Sequence, residues 1–144
     1  MNLLVINGPN LNMLGIREPD IYGRGTYADL IEYINEVAAT YDISVQCFQS
    51  NHEGEIIDVI QGAFEKYDGI IINAGGYSHT SVAILDALKA VNIPTVEVHL
   101  SDPALREEFR HRSYISLASR VTYKGLGFEG YKKAIEYFVH LTNY

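Results

Sequence analysis

The chain holds a single cysteine, Cys47, among 144 residues, which excludes an intrachain disulfide. Cys47 falls inside an apolar strand-like run, where a small buried side chain is the usual occupant, so no thiol chemistry is expected. Basic residues are also scarce. The 11 Lys and Arg against 18 Asp and Glu give a formal charge of -7, which argues against nucleic acid or an anionic membrane surface as a partner. Any anionic ligand must then be held by local arginines. Long hydrophobic runs are missing too: MNLLVIN lacks a basic n-region, and no later stretch approaches membrane-spanning length. A soluble, cytoplasmic protein is expected. The prolines are scattered, with no repeat, low-complexity tract or linker. At 47% hydrophobic residues the chain can bury one core but falls short of two ordinary domains, so residues 1–144 are expected to form a single domain.

What is present is alternation. Apolar strand-like runs occur at 3–6, 44–48, 69–72, 94–98 and 120–123. Their near-continuous hydrophobicity suits strands covered on both faces. Between them, Leu30, Ile34, Val37, Ala38 and Tyr41 share one helical face, as do Ile56, Ile60, Ala63, Phe64 and Tyr67. Further helical patterns run over 82–91 and 128–142. Parallel neighbours cannot be joined by hairpins, so strict strand–helix alternation predicts right-handed crossovers. The predicted fold is α/β: a flavodoxin-like, doubly wound, five-stranded parallel sheet with helices on both faces. In such sheets the ligand crevice lies beyond the carboxyl ends of the strands.

The residues at those ends are polar and specific. The first strand runs into NGPNLNMLGIREPDIYGRGT, a connection of about nineteen residues where βα loops usually have about 2–6, which suggests a lid. It holds Arg17 and Tyr22, which a folded loop brings to the crevice mouth, or which are a solvated arginine and a packed tyrosine. With 11 tyrosines in the chain, position alone does not decide. The third strand ends in INAGGYSHTS, where paired glycines permit close backbone approach and helix-start amides favour an anion. There Thr80 or Ser81 is the candidate helix cap and His79 either a ligand contact or a satisfied surface residue. The fourth ends in TVEVHLSDP, and the two-residue period of a strand sets Glu97 and His99 on one face. A carboxylate so placed orients the imidazole and favours its protonated form, as a catalytic acid or as a buried structural pair. In REEFRHRS, Arg106 and Arg110 share a face if helical, a candidate carboxylate clamp or a solvated face paired with Glu107 and Glu108.

Several chemistries are argued against. GLGFEG matches G-x-G-x-x-G, but it follows a late strand with too little chain after Gly130 for the acidic partner of a dinucleotide site, so a tight strand-to-helix turn is expected. No Walker lysine follows the first strand, and NGPN places proline where a phosphate loop needs donors. His52, His79, His99, His111 and His140 show no zinc-like spacing, and no acidic cluster ends the first strand. No metal and no cofactor are expected.

The blocks NGPNLNMLGIREPDIYG, QSNHEGEIID, INAGGYSHTSVAILDA, EVHLSD and EEFRHRSY, in this order and spacing, closely resemble the type II dehydroquinases over essentially the whole chain. The family usually has proline where Leu117 stands and glycine where Val121 stands. The resemblance implies trans elimination of water from 3-dehydroquinate in the shikimate pathway of aromatic biosynthesis. Tyr22 would be the base at C2, assisted by Arg17, and His99, held by Glu97, the acid at the C1 hydroxyl. Asn10 would hold a water against the enolate oxygen. Asn73, His79, Leu100, Ser101 and Arg110 would bind substrate, with Asp86 reaching in from a neighbouring subunit of a homododecamer built from trimers. A type I route through a lysine imine finds no lysine in a strand-end motif, whereas a binding or regulatory module without catalysis would keep the crevice and not need the Tyr22, Arg17 and His99 set.

Overall fold

The computed structural model describes residues 1–16, 18–22 and 25–142, with only the backbone of Tyr22 included. Arg17 and the side chain of Tyr22 therefore lie outside the described residues. The strands are β1 (Asn2–Asn7), β2 (Ser44–Gln49), β3 (Gly69–Asn73), β4 (Thr95–His99) and β5 (Val121–Lys124). The helices are α1 (Pro19–Tyr22), α2 (Tyr27–Thr40), α3 (Glu53–Gly62), α4 (Val82–Val91) and α5 (Glu129–Thr142). The sheet is parallel throughout in the order β2-β1-β3-β4-β5, the flavodoxin-like arrangement anticipated from the alternation. The chain leaves β1 for β2, then returns across β1 to β3, so strand order reverses between β1 and β3. That is where a crevice must open.

The central strands explain their own composition. Every residue of β3 and β4 is buried, whereas edge strands β2 and β5 are only partly covered. Alternate side chains divide the core between two faces. Leu3, Val5, Ile71, Val96 and Val98 meet α2 and α5 through Leu30, Ile34, Ala134, Ile135 and Phe138. Leu4, Ile6, Ile70 and Ile72 meet α3 and α4 through Ile56, Ile60, Ile84 and Leu88. A fully buried Leu or Ile contributes about 1.5–3 kcal/mol, so this double layer dominates stability. Cys47 is half-buried in β2, and burial pushes its thiol up to about 11.

Two expectations about elements are corrected. Phe64 does not continue the buried face of α3, because the helix ends at Gly62 and the chain turns through Glu65 at φ 63°. Phe64 is exposed, whereas Tyr67, beyond the helix end, still packs against the Ile56 and Ile60 cluster while its hydroxyl donates to Gln46 Oε1 on β2 at 2.8 Å. The long first connection is not plain loop: a 3-10 turn at Leu11–Met13 and α1 punctuate it. Before α2, Thr26 and Asp29 form a reciprocal cap with bonds of 3.1 and 2.9 Å, which holds the Asp29 carboxyl below its usual range.

Candidate active site

The carboxyl ends of β1, β3 and β4 converge on a cavity of about 370 Å³, within the range of small-molecule sites. Its first wall leaves β1. Gly8 donates its N–H to Asn73 O at 2.7 Å, and a Cβ on Gly8 would stand 2.5 Å from Ala74 O. Only glycine lets the chain from β1 pass so close to the end of β3. Asn10 follows in the left-handed region at φ 70°, its N–H donating to Asn51 Oδ1 at 3.0 Å. Gln49 Nε2 donates to Gly8 O at 3.2 Å and to Asn51 Oδ1 at 3.2 Å. The segment after β2 therefore braces the backbone of Asn10, a role the QSN stretch did not disclose by itself.

The second wall leaves β3. Asn73 is buried and lines the cavity, and Gly75 at φ 58° begins the 3-10 turn Gly75–His79. Of the two candidate caps, Ser81 is the one used: its Oγ accepts from the Ile84 N–H at 2.9 Å. His79 lines the cavity, and its Nδ1 lies 2.7 Å from Arg112 O. A carbonyl only accepts, so this bond sets the proton on Nδ1 and turns Nε2 away from that partner. Both readings of His79 hold at once: it is satisfied, and it faces the site.

The third wall leaves β4. Glu97 is wholly buried, and its Oε2 lies 2.7 Å from His99 Nε2, as the shared strand face predicts. His99 reaches the cavity. The carboxylate also accepts from Ser113 Oγ at 2.5 Å, from Ser116 Oγ, and from Thr122 Oγ1 at 2.9 Å. Burial alone would push Glu97 up, but the bonds from His99, Ser113 and Ser116 outweigh it and hold the carboxyl down to about 2. Glu97 is thus an anion, with His99 on one oxygen. Leu100 and Ser101 complete this wall, and the glycines of GLGFEG tie it down. Gly125 N–H donates to Ser101 O at 3.1 Å and Gly127 N–H to Leu100 O at 3.0 Å. Both glycines have positive φ in a strand-to-helix turn, as expected in place of a dinucleotide fingerprint.

The arginine pair needs correction. Arg106 and Arg110 do not share a helix face, because the segment folds as separate 3-10 turns, Pro103–Leu105 and Glu108–Arg110. Proline at 103 and the Asp102 cap on Ala104 N–H, at 3.0 Å, set the first turn and stop it. Both arginines nevertheless line the cavity. Arg110 Nε is held by Glu107 Oε2 at 2.6 Å, and Arg106 Nη2 lies 3.9 Å from Glu18 Oε2. Arg110 thus lines the cavity and is paired with Glu107 at the same time. Asp86 sits exposed on α4, outside the residues lining this cavity. Among the described residues no group of His, Cys, Asp and Glu is arranged to hold a metal ion, and no helix is long and apolar enough to cross a membrane.

Sequence reasoning missed Ser113, Ser116 and Thr122 around Glu97, and Asn51 behind Asn10. Thr122 is legible only once the strand order is known, since it stands opposite Glu97 in the β4–β5 register.

Fold and site together define a class: a flavodoxin-like α/β protein whose switch-point crevice carries a carboxylate-held imidazole and two arginines. Residues 1–139 match the model of the family described as dehydroquinase class II. A 3-dehydroquinate dehydratase of Bacillus licheniformis is 52% identical over 142 residues, covering 99% of this chain and 98% of that protein. One from Clostridium perfringens is 57% identical over 136 residues, covering 94% of each. The crystal structure of a type II dehydroquinase from Butyrivibrio crossotus superposes with a TM-score of 0.93 at 51% identity, covering 94% of this chain and 95% of that one. This chain belongs to the class II dehydroquinase family.

Proposed function

We propose that the chain is a single catalytic domain over residues 1–144 that dehydrates 3-dehydroquinate to 3-dehydroshikimate in the shikimate pathway, by trans elimination through an enolate. The observation that carries this reading is the buried Glu97 carboxylate holding His99 at the mouth of the switch-point cavity, in a chain whose relatives bear the name of that activity.

A base must first take the proton at C2. A phenol with a reference pKa of about 10 is only about one part in a thousand ionised at neutral pH. A guanidinium nearby lowers such a pKa by about 1–3 units, which is the part assigned to Arg17 beside Tyr22. Donors must then meet the enolate oxygen, each worth about 2.7–4 kcal/mol. Asn10, braced by Asn51, is assigned there through a bound water. Hydroxide leaves poorly, so an acid must protonate the C1 hydroxyl from the opposite face, and His99 is assigned that step. Asn73, His79, Leu100, Ser101 and Arg110 are assigned to substrate binding, with Arg110 aimed by Glu107 at the carboxylate.

Closure of the first loop would bring Tyr22 to the ring and exclude water. Ile16 and Ile21, exposed on that loop, support a segment with apolar surface still to bury. Leu105, Phe109 and Leu117 are exposed on the chain after β4, and Asp86 is exposed on α4. This exposed apolar surface supports a homo-oligomer, assigned here as a dodecamer built from trimers in which Asp86 would reach a neighbour's site. The enzyme would act in the cytoplasm.

Purified protein incubated with 3-dehydroquinate should develop the enone absorbance of the product. Tyr22→Phe, Arg17→Ala and His99→Ala should each lower kcat by about 10²–10⁴-fold. Full activity in Tyr22→Phe would remove that residue as the base, and ligand binding without turnover would favour a binding module. Borohydride with substrate should leave no adduct.

A further inference from the structure

Tyr131, in the first turn of α5, is wholly buried. Its hydroxyl donates to Asn7 Oδ1 at 2.6 Å and accepts from Asn73 Nδ2 at 3.1 Å. Asn7 and Asn73 end β1 and β3 and stand opposite each other in register, so they flank the switch point. Asn73 Oδ1 accepts from the Gly75 N–H at 3.2 Å, and Asn7 Nδ2 lies 3.5 Å from the Tyr27 hydroxyl. The reaction as assigned above uses none of the Tyr131 chemistry.

The directions of these bonds carry information. A hydroxyl has one hydrogen, and that of Tyr131 is engaged by Asn7, so its oxygen can only accept from Asn73. A backbone N–H can only donate, so Gly75 demands the oxygen of the Asn73 amide. Both constraints select the same orientation. A flipped amide would set NH₂ against the Gly75 N–H and oxygen against an acceptor, which leaves buried polar groups unmatched. The Asn73 NH₂ has a second hydrogen, and the residue lines the cavity.

We propose that Tyr131 is a positioning residue: with Gly75 it locks the Asn73 amide so that Nδ2–H, and not Oδ1, faces the cavity, selecting an acceptor oxygen of a hydroxyl or carboxylate on the substrate. This rests on the assignment of Asn73 to substrate binding. Tyr131 reaches Asn73 through the core from α5, so the specificity of the crevice is set partly from behind the sheet.

Steady-state kinetics of the full chain tests it. Tyr131→Phe keeps the ring and removes only the hydroxyl. KM for 3-dehydroquinate should rise about tenfold, the loss of roughly one hydrogen bond. Because the contact is made in ground and transition states alike, kcat should stay within about twofold. In an Asn73→Ala background the same substitution should change neither constant. An unchanged KM, or an equal factor in both backgrounds, overturns the assignment. Absence of turnover by the wild-type chain instead overturns the function and this assignment with it. Should Tyr131→Phe fail to fold, the Asn73 side-chain amide of the wild type gives the answer by NMR. One Nδ2 hydrogen should exchange slowly with solvent while the other shifts on adding the equilibrium mixture of substrate and product. Two hydrogens that exchange fast and do not shift would sink the proposal.

Discussion

Thr122 stands opposite Glu97 in the β4–β5 register, and its hydroxyl donates to the buried carboxylate at 2.9 Å. It joins Ser113, Ser116 and His99, so the anion is met by donors from the strand beside it, from its own strand and from the segment between. Removing the charge from such a shell leaves its buried donors without their acceptor, which is destabilising.

Glu97→Gln should therefore show a pH-dependent loss of stability. The carboxyl falls from an ordinary value of 4.5 to about 2 on folding. A depressed value stabilises the fold above the unfolded pKa, and that contribution disappears as pH falls through the folded one. At about 1.36 kcal/mol per unit it is on the order of 3 kcal/mol. Urea unfolding at a series of pH values should find the variant less stable near neutrality, with the gap narrowing from about pH 4.5 towards pH 2. A gap that stays constant across that window would show that the carboxylate charge is not its source.

Arg110→Lys should raise KM more than it lowers kcat. Glu107 grips Nε of the guanidinium, which orients the remaining nitrogens of the fork. An ammonium keeps the charge and loses the two-point geometry. An increase in KM of about tenfold is expected, since about 1.4 kcal/mol is a factor of ten. Unaltered KM in steady-state assays would take Arg110 out of substrate binding.

Gly8→Ala should destabilise the fold and disturb the site together. The added Cβ would lie 2.5 Å from Ala74 O and 2.6 Å from Ala74 C, both backbone atoms without rotamer freedom. Overpacking commonly costs about 1–3 kcal/mol, and the strands would part between Gly8 and Asn73. Thermal melting should show a lowered Tm, and turnover should fall because Asn10 lies only two residues on. A variant melting with the wild type would mean that this crossing has slack.

Much of the fold was legible because periodicity is local. The runs ending at Ile6, Phe48, Ile72, Val98 and Tyr123 all became strands, and Leu30, Ile34, Ile56 and Ile60 face the core. The face failed at Phe64 because nothing in apolar spacing marks the turn after Gly62. The Glu97 and His99 pair was visible for a local reason as well: two residues along a strand share a face. Arg106 and Arg110 reached the cavity without the helix expected to carry them, since Pro103 and the Asp102 cap break the segment into short turns.

The amino-acid order alone determined the alternation of strands and helices, the buried faces and the strand-end residues, because each depends on neighbours within a turn or a pleat. Tertiary structure decided which distant groups complete them. Thr122 lies 25 positions from Glu97, Tyr131 lies 58 from Asn73 and 124 from Asn7. Nothing local marks such partners: hydrogen-bond direction and burial select them only after the sheet has set its strand order and brought β1, β3 and β4 to one edge.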